Sequence, residues 1–218
     1  MRLVTSTDAP GIARLIHEVW PDHNPNPARI ARVSLESGHT TVIEADGSAV
    51  IGFADGFTTV SSDGVLRWEV DLLGVQPAYR GRGIAQTLIA ASVEVGRRAG
   101  AATARALVEI ENAPSQAAFR RCGFTASESI YELFVSGESL RGRLLEPPGA
   151  HLVSVATLTY GGVWVEGKVS FEALRCAQRA RTRYGWDVAG TVIPEETIEA
   201  ERVGYERVGR YRWLQLAL

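Results

Sequence analysis

Residues 75–85 read Val75-Gln76-Pro77-Ala78-Tyr79-Arg80-Gly81-Arg82-Gly83-Ile84-Ala85, and this stretch decides the fold. A strand-like run, Arg67–Val75, leads into it, and a helical pattern over Gly83–Ala99 leads out. Pro77 offers no amide to a ladder and ends the strand. Gly81 and Gly83 let the backbone turn tightly and come close to a ligand. The free amides at the start of the following helix point into the loop, and the helix dipole adds partial positive charge there. Arg80 and Arg82 place full charges beside them. Together these residues make an anion cradle suited to a pyrophosphate. The alternative reading is a tight strand–helix turn carrying two solvated arginines. Neither the dinucleotide nor the P-loop fingerprint is present, because there is no GxGxxG and no Lys-Ser/Thr after a glycine.

Gly74 lies inside the incoming strand, where a lone glycine marks a bulge or a close backbone approach. A strand that splays there leaves unpaired backbone groups, onto which an extended amide-bearing arm can add like a further strand. A pyrophosphate at the loop with an amide arm along the strand describes coenzyme A.

Upstream, residues 1–5 read as a short strand, and Thr7 or Asp8 caps a helix with Pro10 in its first turn. Ile12, Leu15, Ile16 and Val19 supply the buried stripe of that helix. After a loop over Pro21–Pro27, residues 28–35 read as a second short helix. Strands follow at 40–44 and 50–59 around an ADGS turn, and then at 67–75. Downstream, Ile84, Leu88, Ala91 and Val95 line one helical face, and Gly100 ends that helix. A strand over 103–110, a helix over 114–121 and one or two strands over 124–135 close the unit. The expected class is mixed α/β, with a mostly antiparallel, splayed central sheet flanked by helices.

Gln76–Ala85, with Arg80, Gly83 and Ala85 in an R-x-x-G-x-G/A arrangement, resembles the acyl-CoA loop of the GNAT-type N-acetyltransferases. Downstream, Asn112-Ala-Pro-Ser115 and the run from Phe119 to Gly123-Phe124 are similar to that family's Asn-containing strand exit and its helix ending in Gly-Phe. The resemblance covers about residues 1–136. It implies acetyl-CoA as cosubstrate, with backbone of Val75 meeting the pantetheine arm. It implies that Arg80, Gly81, Arg82, Gly83, Ile84 and Ala85 hold the pyrophosphate and that Asn112 and Phe119 border the cofactor. The family often carries a Tyr at the position of Phe119, where its hydroxyl protonates the departing thiolate. Phe119 has no proton to give, so water or Ser115 substitutes, or protonation is not limiting, or the domain binds acyl-CoA without turnover.

Acyl transfer to an amine needs a group that takes a proton. Glu69 and Asp71 are two residues apart on the incoming strand and share one face of it. Mutual repulsion raises the pKa of one of them, as a base requires. Glu69 is the favoured base from its likeness to a common base position in the family. Glu109 and Glu111 stand in similar spacing beside Asn112, and His17 and His23 lie in the region that shapes the acceptor site. The acceptor expected is an amine, on a small molecule or a peptide, and oxyanion help is expected from a backbone N–H near Val75.

The 218 residues are 45% apolar and 22% charged, enough to bury a core without metals or disulfides. Net charge is −2, which argues against a protein that coats nucleic acid. All 23 basic residues but Lys168 are Arg. Cys122 and Cys176 lie outside any metal-binding cluster, so no metal site is expected. The N-terminus has no apolar signal core, and no stretch approaches the ~18 apolar residues of a membrane span. A soluble, cytoplasmic protein is expected.

Residues 137–150 read as a linker between a 1–136 unit and a tail, 151–218. Arg121-Cys-Gly-Phe124 is echoed by Arg202-Val-Gly-Tyr205, and Leu133 by Leu214 at the same offset. The tail therefore reads as a partial second copy of the unit's C-terminal half, without its opening strands and without the cofactor loop. Tyr160-Gly-Gly-Val163 reads as a hairpin turn where a second loop is expected. Open sheet edges on such a half-domain must be covered, either by the first unit or by a second subunit in a homodimer.

Overall fold

Strand β1 (Arg2–Leu3) leads into helix α1 (Ala9–Val19), whose entry is fixed by Asp8: its carboxylate accepts from the Thr5 backbone amide and pairs with Arg2. Helix α2 (Pro27–Val33) is capped by the Asn26 side chain. Strands β2 (His39–Asp46), β3 (Ala49–Val60) and β4 (Leu66–Val75) form an antiparallel meander. Helix α3 (Ile84–Arg98), strand β5 (Thr103–Glu109), helix α4 (Ala113–Arg121), and strands β6 (Thr125–Ala126) and β7 (Tyr131–Ser136) follow. The tail supplies β8 (Ala150–Ala156), β9 (Gly161–Gly167), helix α5 (Phe171–Tyr184), β10 (Val188–Pro194) and β11 (Glu206–Ala217). This is a computed structural model, and it describes residues 1–144, 147–194 and 200–218.

Alternation along β3 sorts the layers. Ala54 packs with Leu88 of α3, and a side chain at Gly52 would meet Leu88 and Ile84. Phe53, on the opposite face, packs with α1 and α2, and Phe57 on that face packs with β8 and β9. Trp68 of β4 is 1% exposed on the α3 side, and its indole donates to Ser92 Oγ at 3.0 Å. The ring fits because Gly56 and Gly96 flank it: a Cβ at either would lie 2.5 or 2.4 Å from indole atoms.

The described strands join one sheet in the order β1-β2-β3-β4-β5-β11-β7-β10-β9-β8, with β6 beside β11. Among the described residues only β4/β5 and β9/β10 pair in parallel. The mixed, mostly antiparallel sheet with helices on its faces is the expected class. The sheet does not divide at 137–150, however. β11, the last strand of the chain, lies between β5 and β7, pairing Tyr211–Ala217 with Glu109–Thr103 and Glu206–Tyr211 with Val135–Tyr131. β7 in turn pairs with β10 of the tail. The two halves thus complete each other's ladders, which satisfies backbone edges that either half alone would expose.

The tail also has opening strands, which corrects the expectation that it lacks them. β8 and β9 are antiparallel, and the turn between them is Thr157–Tyr160, so Gly161–Val163 already belong to β9. Gly161 is a close-approach glycine there, since a Cβ would sit 2.4 Å from the Trp186 ring. The order β8-β9-α5-β10 repeats that of β3-β4-α3-β5, including the parallel crossover. The local backbone repeats too. Gly123 and Gly204 both have positive φ; Phe124 N–H reaches Phe119 C=O, and Tyr205 N–H reaches Ala200 C=O. Phe124 and Tyr205 are both buried.

Candidate active site

The strand-to-helix turn has the conformation its glycines predict. Gly81 and Gly83 have φ of 77° and 81°, in the left-handed region, and Gly83 is the N-cap residue of α3. Among the described residues, no side chain caps this helix. At α5, by contrast, the Ser170 side chain accepts from the Ala173 amide and closes the start of the helix. Arg80 Nε turns back onto the Val75 carbonyl at 3.1 Å, and Arg82 lies over the Tyr79 ring while donating to the Ala78 carbonyl. Tyr79 is braced by Asp46 at 2.7 Å. Ile84 and Ala85 are half-buried in the first turn of α3.

Beside this turn, β4 and β5 part. Their ladder covers only Arg67–Glu69 against Thr103–Arg105, and the strands diverge beyond it. The bulge in β4 lies one turn of pleat earlier than Gly74. Register shifts between Ala54 and Gly56, so Asp71 and Leu72 together oppose Asp55. Gly74 is instead a close approach, with the Phe53 ring 2.7 Å from where a Cβ would be. Asn112 spends its Oδ1 as the N-cap of α4, accepting from the Ser115 amide at 3.1 Å. Ser115 is half-buried in that first turn. Phe119 is 3% exposed and packs edge-on against Phe124, 5.0 Å between ring centres, within the core.

The two candidate bases are in different surroundings. Glu69 is 8% exposed and fully engaged: Arg105 Nε donates to both its oxygens, and Thr59 Oγ1 donates as well. Arg67 and Arg105 both also bind Glu166 of β9, at 2.8 and 2.5 Å. The Arg105 guanidinium lies 4.3 Å from the Trp213 ring centre of β11. A carboxylate held this way is a counter-ion, so Glu69 gives up its favoured place as base. Asp71 is exposed, two residues along β4 from the buried Glu69. Burial and the neighbouring Asp55 and Glu69 carboxylates push its pKa up to about 7, against the pull of His39.

Sequence reasoning missed the pair His39 and Asp55. His39 Nε2 is 2.8 Å from Asp55 Oδ1, which also accepts from Thr41 Oγ1 at 2.6 Å. Burial works against the His39 charge, but the bond to Asp55 and the nearby Asp71 outweigh it and raise its pKa. The signal was the β2–β3 register, which puts Thr41 opposite Asp55. His17 and His23 do not join the site: His17 is exposed and its Nδ1 meets the His23 carbonyl. Glu109 and Glu111 line a separate cavity of about 260 Å³ with Arg207, Gly209 and Arg210.

No helix among the described residues is long and apolar enough to cross a membrane. The chain is 34% identical over 89 residues to the mycothiol acetyltransferase of Corynebacterium glutamicum (strain R), a stretch covering 40% of this chain and 29% of that protein. The chain therefore spans under a third of the length of that curated relative. It is 31% identical over 139 residues to the aminoglycoside N(6')-acetyltransferase type 1 of Stenotrophomonas maltophilia, covering 60% of this chain and 88% of that protein. Among solved structures, a tandem GNAT protein from the clavulanic acid biosynthesis pathway aligns with a TM-score of 0.56 at 15% identity, over 99% of this chain and 97% of that one, a likeness of fold. The sequence profile of the acetyltransferase (GNAT) family matches residues 9–124, more than half of the chain, and the chain belongs to that family.

Proposed function

We propose that the chain moves an acetyl group from acetyl-CoA to an amine by direct attack in a ternary complex. The observation that carries this is the uncapped, glycine-turned start of α3 opening beside the divergence of β4 and β5, with Asp71 on the other face of β4. When bound, acetyl-CoA supplies an acyl carbon activated as a thioester. The amides of Gly81–Ala85 bind its pyrophosphate, with Arg80 and Arg82 adding charge at the rim. The edge of β4 near Val75 takes the pantetheine arm and offers an N–H to the developing oxyanion. Asp71 takes the proton of the amine. Asn112 and Ser115 hold the start of α4 beside the cleft, and Ser115 or water returns a proton to the thiolate in place of the absent Tyr.

The repeated order of strands and helix, and the matching turns at Gly123 and Gly204, support reading the tail as a degenerate second half-repeat. Ser170 closes the start of α5, so the second copy has no cradle. A second reading, an acyl-CoA-binding module without catalysis, draws on Phe119 alone. Release of CoA thiol with a panel of amines separates the two. Turnover that disappears in Asp71→Asn supports the enzyme; tight CoA binding with no turnover on any acceptor supports the module.

A further inference from the structure

We propose that the acceptor is a small amine bearing one positive charge, held beneath a roof that the β8–β9 hairpin builds over Asp71, and that a polypeptide N-terminus is excluded. This rests on the acetyl-transfer reading and narrows its acceptor. The roof is pinned at both ends. At its tip, Leu158 is 0% exposed inside the α1–α2 cluster, among Ile16, Ile30 and Phe53. There Arg29 Nε donates to the Thr157 carbonyl at 3.1 Å, and Arg29 pairs with Asp187 at 3.5 Å. At the other end, Glu166 is clasped by Arg67 and Arg105. Between the pins, Tyr160 and Trp164, 6.2 Å apart, pack with Phe57, Val153 and Val155. Asp71 is exposed and Tyr160 half-buried, and burial together with the nearby Asp71 charge raises the Tyr160 pKa, so solvent reaches the chamber between roof and floor.

The floor carries the recognition chemistry. Asp55 is 0% exposed, and its Oδ2 meets no donor among the described residues. It lies on the β3 face that carries Phe53 and Phe57, and therefore faces the chamber. A buried carboxylate oxygen without a donor is a poor arrangement on its own and a good one for an ammonium N–H. The other carboxylates nearby are partnered: His39 hydrogen-bonds Asp55, and Arg67 with Arg105 offset Glu69 and Glu166. Asp71 is left without an ion-pair partner among the described residues, which matches one positive charge on the ligand. The aromatic walls suit an organic cation. In the transfer, the ammonium gives one proton to Asp71, the neutral nitrogen bonds the acyl carbon, the C–S bond breaks with its electron pair leaving on sulfur, and the second proton lost from nitrogen passes to that thiolate through water or Ser115. A peptide would need an open groove for the residues after its first, and β9 is fastened across that path.

The test is calorimetric titration of the full chain, saturated with CoA, using tyramine, butylamine and a hexapeptide with a free N-terminus. At least one small amine should bind ten times tighter than the peptide. Asp55→Asn should weaken that amine at least tenfold, and Trp164→Leu about fivefold, each with CoA affinity unchanged. Peptide binding within tenfold of the better amine overturns the proposal, as does amine affinity indifferent to both substitutions. If CoA binds and neither amine does, the acceptor inference fails while the cofactor assignment stands; if CoA itself does not bind, the transferase reading fails first.

Discussion

Arg105 meets Glu69 through one nitrogen placed between two oxygens, with Nε 2.7 Å from one and 2.9 Å from the other. This bond makes Glu69 part of the clasp between β4, β5 and β9. Glu69→Gln leaves two buried guanidiniums with Glu166 as their remaining carboxylate, and should cost about 3 kcal/mol of stability. Chemical denaturation measures that loss. The midpoint of the pH–rate profile should move to lower pH, because the Glu69 charge helps to hold up the pKa of Asp71, and the rate on the plateau should persist.

The group proposed to take the proton is Asp71. Its raised pKa, about 7, predicts that kcat/KM climbs through neutral pH and levels above it. Asp71→Asn should lower the rate about 10²–10⁴-fold and abolish that climb. The same shift has a stability consequence of defined sign. The folded state holds this proton more tightly than the unfolded chain, so wild type loses stability as pH rises from about 4 to about 7. Thermal melts of Asp71→Asn should match wild type at pH 3 and exceed it at pH 8.

Gly83 stands at φ 81° with its amide at the mouth of α3. Gly83→Glu brings backbone strain and a negative charge to the place proposed for the pyrophosphate. CoA affinity should fall at least tenfold, about 1.4 kcal/mol, by calorimetry. Unchanged affinity would remove the cradle from the account.

Trp68 depends on two absent side chains. Gly96→Ala places a methyl carbon 2.4 Å from indole atoms, and Gly56→Ala one at 2.5 Å. Each should destabilise by about 1–3 kcal/mol through overpacking. The Trp68–Ser92 bond should then weaken, visible as a shifted indole N–H resonance.

Ending the chain after residue 144 removes β11 and with it the ladder partner of β5 along Thr103–Glu109. Such a fragment contains the whole acyl-CoA loop and should still fail to fold cooperatively. A sharp melt with retained CoA binding by that fragment would contradict the topology.

Much of this architecture was readable from local pattern. Helix α1 buries the Ile12, Leu15 and Ile16 stripe that its periodicity predicts, and the turn at Gly81–Gly83 follows from two glycines in an arginine-rich setting. Strand partners were not readable. The periodicity of β11 says that it is a strand, but the choice of β5 and β7 as its neighbours depends on edges left open far away in the chain. The same holds within the site. Glu69 and Asp71 look equivalent by spacing, and they differ only because Arg105 and Glu166 reach one and not the other. His39 and Asp55 lie sixteen positions apart, and it is the β2–β3 register that brings them together.

The seating of β11 between β5 and β7 also bears on the order in which the protein becomes itself. During translation the turn at Gly81–Gly83 is made early, yet the strand that walls β5 emerges from the ribosome far later. The nascent chain must therefore wait, with that slot open, until β11 has been made. A cooperative fold should arrive in one step once β11 is seated, never gradually as the chain lengthens.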